Sequence, residues 1–144
     1  MLGQWRWVWL AIGAVCLTGC GSSGGTYPVS GKVTYPDGTP LANAQVSFES
    51  VTEPIGAVGT TDANGEYKLT TYELNDGAIP GEHRVLVMPP PPPTPEHDEA
   101  SGKPLVYANT PPAIDPKFSR FETSGLTYTV EGAGTFDITV EKPK

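Results

Sequence analysis

Cysteine and histidine are the side chains best suited to nucleophilic, redox or metal chemistry, and this chain of 144 residues holds two of each: Cys16, Cys20, His83 and His97. His83 falls in a strand-like run and His97 in a proline-rich stretch, and two isolated histidines do not make a metal site. Asp62-Ala63-Asn64-Gly65 resembles the start of a calcium loop. Such a loop needs oxygen ligands at alternating positions and a distal bidentate Glu, whereas here Gly65 comes directly after Asn64 and the cation Lys68 follows. The motif reads as a turn. A Ser-His-acid triad can be drawn on paper around His83, yet no strained nucleophile turn accompanies it. The expectation is a chain that is not an enzyme, with no cofactor and no metal.

Cys20 has a different chemistry available. Met1 to Trp9 carry one charge, Arg6, and the apolar run from Val8 to Leu17 follows, then small residues ending in Cys20. That order predicts a secretory signal peptide over residues 1–19. An apolar run of about ten to twelve residues spans only ~18 Å as a helix against ~30 Å of hydrocarbon, so a permanent membrane span is the weaker reading. Leu17-Thr18-Gly19-Cys20 resembles the bacterial lipobox, an aliphatic residue, two small residues and a lipidated Cys. The resemblance implies that the Cys20 thiol is alkylated with diacylglycerol, that a peptidase cuts before it, and that the new amino group is acylated. Two or three acyl chains, at ~0.8 kcal/mol per buried methylene, hold a soluble domain stably on a membrane. Gly21 is not the Asp associated with inner-membrane retention, which favours the outer membrane, facing the periplasm of a bacterial cell envelope.

Processing at Cys20 also settles the thiol inventory. Cys16 leaves with the signal and Cys20 is consumed by lipid, so the mature domain keeps no free thiol and no disulfide. Trp5, Trp7 and Trp9, the chain's three tryptophans, leave as well. Loss of Arg6 leaves 8 basic residues against 16 acidic ones, a net charge of -8. Nucleic acid is excluded as a partner, because phosphate binding needs clustered Lys and Arg.

The elements that carry these residues are strands. With 17 glycines and 16 prolines, roughly twice average usage, the chain is one domain of short strands joined by turns. Residues 20–27 form a lipidated Cys with a Gly/Ser tether, and the domain runs from 28 to 144. Val29, Gly31, Val33 and Tyr35 alternate with Ser30, Lys32 and Thr34, the period of a strand with one buried face. Ala44, Val46 and Phe48 mark a second strand, Val58 a third, Tyr67 and Leu69 a fourth. Glu82 to Met88, with His83, Val85 and Val87 on one face, make a fifth. Leu126 to Glu131 and Thr135 to Val140 complete seven, which predicts an all-β, antiparallel sandwich with Val33, Val46, Phe48, Leu69, Val85, Val87, Phe136 and Ile138 in its core. Pro89 to Pro93 open an acidic insert, 89–103, that reads as a solvated spacer. Pro111, Pro112, Ile114, Pro116, Phe118 and Phe121 continue it irregularly and supply apolar anchors against the sandwich.

Three segments, V-S-G-K-V-T-Y-P-D-G-T-P-L-A-N-A-Q-V-S-F, G-T-T-D-A-N-G-E-Y-K-L and I-P-G-E-H-R-V-L-V, are similar to the carboxypeptidase regulatory-like domains. That resemblance covers Val29 to Val87. It implies a seven-stranded transthyretin-like (prealbumin/Ig-like) sandwich and, with Cys20, a planctomycete-type lipoprotein. Transthyretin-like hydroxyisourate hydrolases resemble it in fold but end in Tyr-Arg-Gly-Ser, and this chain ends Val140-Glu141-Lys142-Pro143-Lys144. Collagen-adhesin B-type domains also resemble it and can join Lys to Asx; Lys32 and Asp137 suggest the pair, but Val87 occupies the position of the required Glu. The implied function is a noncatalytic structural or protein-interaction module, with a carbohydrate or small-ligand binding module as the alternative. The implied partners are a membrane, through lipid on Cys20, and envelope proteins or glycans.

Overall fold

The computed structural model describes residues 25–91 and 113–144. Residues 1–24, with the signal segment and Cys20, and residues 92–112, with His97 and most of the insert, lie outside the described residues. The described chain forms β1 (Val29–Thr34), β2 (Gln45–Ser50), β3 (Gly56–Thr60), β4 (Glu66–Lys68), β5 (Gly81–Met88), β6 (Leu126–Val130), β7 (Gly134–Thr135) and β8 (Ile138–Thr139). A 3-10 turn, Pro116–Ser119, and a single helical turn, α1 (Phe121–Ser124), precede β6. One sheet runs β3-β2-β5-β6, and the other runs β4-β1-β7 with β8 also on β1. The all-β, two-sheet architecture expected from the alternating sequence is what forms.

The buried faces follow the period of two. Val29, Gly31 and Val33 point inward from β1; Val46 and Phe48 from β2; His83, Val85 and Val87 from β5. Tyr67, Leu69, Val130, Ile138 and Val140 close the core. Phe48 lies at its aromatic centre, with the rings of His83, Tyr128 and Phe136 at centroid distances of 5.9, 6.0 and 6.0 Å. The two sheets meet along one side, where Val58 of β3 and Thr70 beyond β4 exchange N–H···O bonds of 3.0 and 2.8 Å.

The last strand departs from the expectation. Thr135 to Val140 is not one antiparallel strand but two short pieces, β7 and β8, and both run parallel to β1. Their register is continuous, since Val29 faces Gly134 and Val33 faces Ile138. The break falls at Phe136 and Asp137, opposite Gly31 and Lys32. Phe136, expected in the core, is half-buried at this break: its N–H still donates to the Ser30 carbonyl at 2.8 Å, its own carbonyl is turned out of the ladder, and its ring lies 4.8 Å from that of Tyr128.

The segment before β6 covers the part of β5 that β6 does not reach. The Asp115 carboxylate accepts the Lys117 N–H at 2.9 Å, and Pro116, which has no N–H to satisfy, occupies the first position of the turn. The Ser124 and Ser119 hydroxyls donate to the carbonyls of Val85 and Val87, which would otherwise be left as unpaired ladder acceptors. Ile114 and Phe118 are buried beneath this cover, as their apolar character predicts. We expect Phe48→Ala to cost about 3–5 kcal/mol in equilibrium denaturant unfolding, through lost transfer energy and the cavity left among three rings. An unchanged midpoint would place Phe48 outside the core.

Candidate functional site

The outer face of the β4-β1-β7 sheet carries the charged residues that alternate with the core. Lys32 stands opposite Glu66 on β4, and Ser30 stands between Lys68 on β4 and Thr135 on β7. Val58, Thr60 and Thr70 rise along one side and Leu74 and Asn75 at one end, which makes the face an open groove of about 910 Å³. Its loop wall is held by one residue. The Asp76 carboxylate accepts the N–H groups of Thr71, Tyr72 and Glu73 at 2.7 to 3.0 Å. Burial alone would raise the Asp76 carboxyl, but these donors hold it below its ordinary value.

Of the residues singled out from the sequence, Lys32, Asp62 and Asp137 line this groove, where both carboxylates have structural roles. Lys32 and Asp137 do touch, but through the wrong atoms for a cross-link: the Lys32 backbone N–H donates to Asp137 Oδ1 at 2.9 Å. In an unbroken parallel ladder that N–H would find a main-chain carbonyl. Here the Phe136 carbonyl has turned to accept the Tyr67 hydroxyl at 2.6 Å, and the Asp137 side chain takes its place as acceptor. Gly31 makes this possible. A Cβ at position 31 would lie 1.9 Å from the Phe136 carbonyl oxygen and 2.8 Å from the Tyr67 hydroxyl. Tyr67 therefore reaches across a strand that presents no side chain between it and Phe136.

Asp62, the first oxygen of the calcium-like motif, faces backbone donors. Its Oδ1 accepts the N–H groups of Asn64 and Glu66 at 2.8 and 2.9 Å, and Gly65 follows at φ 77°. The segment is an Asx turn. His83 is 1% exposed. Its Nε2 lies 2.8 Å from the Ile79 carbonyl, so it carries the proton, while its Nδ1 is buried with no partner among the described residues. It belongs to the core, as its position in the strand alternation implies. Val87, at the position where a cross-linking domain needs Glu, is fully buried.

Tyr67 is the titratable group most strongly perturbed by this arrangement. Burial pushes its phenol far above the ordinary value of 10.0, and the Asp137 charge and then Tyr128 push it further. It is a hydroxyl donor at every physiological pH, not an acid or base. Sequence reading placed Tyr67 on a strand face but could not assign its hydroxyl a partner 69 residues away. Among the described residues no three His, Cys, Asp or Glu side chains converge as metal ligands, and no helix is long and apolar enough to cross a membrane.

No family model, curated protein or solved structure matches this chain.

A raised folded-state phenol pKa means that the folded protein holds its proton more tightly than the unfolded chain. Stability from Tyr67 is then fully present below pH 10 and is lost as pH climbs toward the folded value. We expect Tyr67→Phe to cost about 1–3 kcal/mol at neutral pH by leaving the Phe136 carbonyl without its donor. Above pH 10 the gap between variant and wild type should narrow in denaturant titrations, and a constant gap would contradict this assignment.

Proposed function

We propose that this chain is a noncatalytic, lipid-anchored domain of a bacterial cell envelope, built as a transthyretin-like sandwich and serving as a structural or protein-interaction module. The observation that carries the anchor is the order of residues at the N-terminus: one charge, an apolar run, then Leu17-Thr18-Gly19-Cys20. The similarity of residues 29–87 to carboxypeptidase regulatory-like domains supports the sandwich family. The noncatalytic reading draws support from the groove, where three of the groups able to move protons are engaged in structural bonds. Asp62 and Asp137 accept backbone N–H groups, and the Tyr67 phenol is held neutral.

A carbohydrate-binding role is the weaker alternative. Sugar sites present aromatic faces for stacking. Among the described residues the one aromatic side chain lining the groove, Tyr67, is 2% exposed, and its hydroxyl is already bonded. The hydroxyls of Ser30, Thr60, Thr70 and Thr135 would have to bind a sugar without a platform.

Mass spectrometry of the native N-terminus tests the anchor. We expect a mature chain that begins at an acylated Cys20, and Cys20→Ala should abolish detergent-dependent extraction from membranes. An unmodified chain beginning elsewhere would refute it. Glycan-array binding by the wild-type protein would move the reading to the alternative.

A further inference from the structure

The two sheets treat their edges differently. On one side β3 is sealed to the segment after β4 through Val58 and Thr70. On the other, β6 ends the β3-β2-β5-β6 sheet, and among the described residues no strand pairs with its outer edge. Hydrogen-bond parity shows which groups lie on that edge. The Glu82 carbonyl accepts the Val51 N–H, so Glu82 and Arg84 direct their backbone groups toward β2, and His83 and Val85 direct theirs toward β6. The Ser124 bond to the Val85 carbonyl agrees. His83 faces Tyr128 and Val85 faces Leu126, so Leu126, Tyr128 and Val130 bond inward. The N–H and C=O groups of Thr127 and Thr129 point away from the sheet.

This edge lacks the usual protections. Leu126-Thr127-Tyr128-Thr129-Val130 contains no charge, no Pro and no Gly, and its threonines and tyrosine favour strand pairing. Its pattern is also symmetric about Tyr128. A second β6 laid antiparallel on it, with Tyr128 on the two-fold axis, sets Thr127 against Thr129 and Leu126 against Val130. Parity fits as well, because Thr127 and Thr129 both point their backbone groups outward and would exchange both bonds at each crossing. Charges are compatible in the same register. On the outer face Arg84 neighbours Thr127 and Glu82 neighbours Thr129, so the continuous row reads Arg84, Thr127, then Thr129 and Glu82 of the second copy. Glu131 falls opposite Gly125 of the second copy, and no acidic residue meets another, although the chain carries a net charge of -7.

We infer that β6 is a homodimerisation edge, pairing antiparallel with β6 of a second copy of this chain to make one continuous eight-stranded sheet. The inference deepens the interaction-module reading by naming the partner, and its test does not involve acylation of Cys20, so either can fail alone.

Opposed residues in such a pair have Cα atoms about 5.5 Å apart, within disulfide range, while the diagonal Thr127–Thr127 and Thr129–Thr129 distances of about 7–8 Å exceed it. Full-length Thr127→Cys and Thr129→Cys chains, prepared in detergent, are oxidised separately and as a mixture. Peptide mapping separates the new disulfide from any formed by Cys16 or Cys20. We expect a 127–129 disulfide between chains in the mixture, and no 127–127 or 129–129 disulfide when either variant is oxidised alone. In sedimentation equilibrium the wild type should associate and Thr127→Lys/Thr129→Lys should not, while the variant keeps the wild-type far-UV circular dichroism because both side chains are exposed in the single chain. A mixture without the 127–129 disulfide, equal linkage in the single variants, or a wild type that stays monomeric would overturn the inference. The last is the result given by an edge covered by the chain's own residues 92–112.

Discussion

The constraint on which the structure depends is the clasp over Gly31. Among the described residues β1 is the one strand of its sheet with partners on both sides, β4 and the β7–β8 pair, and it joins the beginning of the described domain to its end. At Gly31 the Tyr67 hydroxyl passes over the strand to the Phe136 carbonyl, and one residue on the Asp137 carboxylate supplies the acceptor that the carbonyl has vacated. Three long-range choices are thereby coupled: a glycine on β1, a tyrosine on β4 and an aspartate after Phe136. Each makes sense only with the other two. Any side chain at position 31 would collide with the Phe136 backbone, and without Tyr67 the turned carbonyl would be buried unpaired.

The clasp also organises the face above it. Because Asp137 and Asp62 serve the backbone, the groove presents Lys32, Lys68 and Glu66 as its mobile charges, over a floor that is fixed. A surface of this kind is suited to weak polar contacts rather than to proton transfer. The opposite sheet offers another kind of surface, an uncharged edge with directional backbone donors and acceptors. The two sheets therefore differ: one locks the two ends of the described domain together, and the other ends, among the described residues, in β6.

Much of the fold was legible because half-buried strands write their faces into the chain with a period of two. Val29 and Val33, Val46 and Phe48, Val85 and Val87 all face inward as that period requires, and His83 follows it in spite of its polarity. The direction of the closing strand was not legible, because parallel and antiparallel pairing leave the same local alternation at Ile138 and Val140. Phe136 was misplaced for a related reason: its alternation is correct, but the ladder is broken at its own carbonyl by a hydroxyl 69 residues away. The short turn at Pro116 carried a readable signal in the Asp115-Pro116 pair, a capping acceptor followed by a residue that needs no donor partner. At the groove the Lys32–Asp137 proximity was visible from the sequence pattern, whereas its chemistry, a backbone rather than an ammonium contact, depends on how the strand is interrupted.

The most direct measurement of this account compares two glycines. Gly31→Ala introduces a Cβ 1.9 Å from the Phe136 carbonyl oxygen, whereas Gly132→Ala, in the turn before β7, meets nothing within 4 Å. Overpacking of a fixed backbone costs about 1–3 kcal/mol or more, and each kcal/mol lowers Tm by roughly 4–8 °C in a domain of this size. Thermal unfolding of the two variants should show a large drop for Gly31→Ala and a shift near zero for Gly132→Ala. Equal, small shifts would contradict the claim that the fold closes through the Tyr67–Phe136 clasp over Gly31.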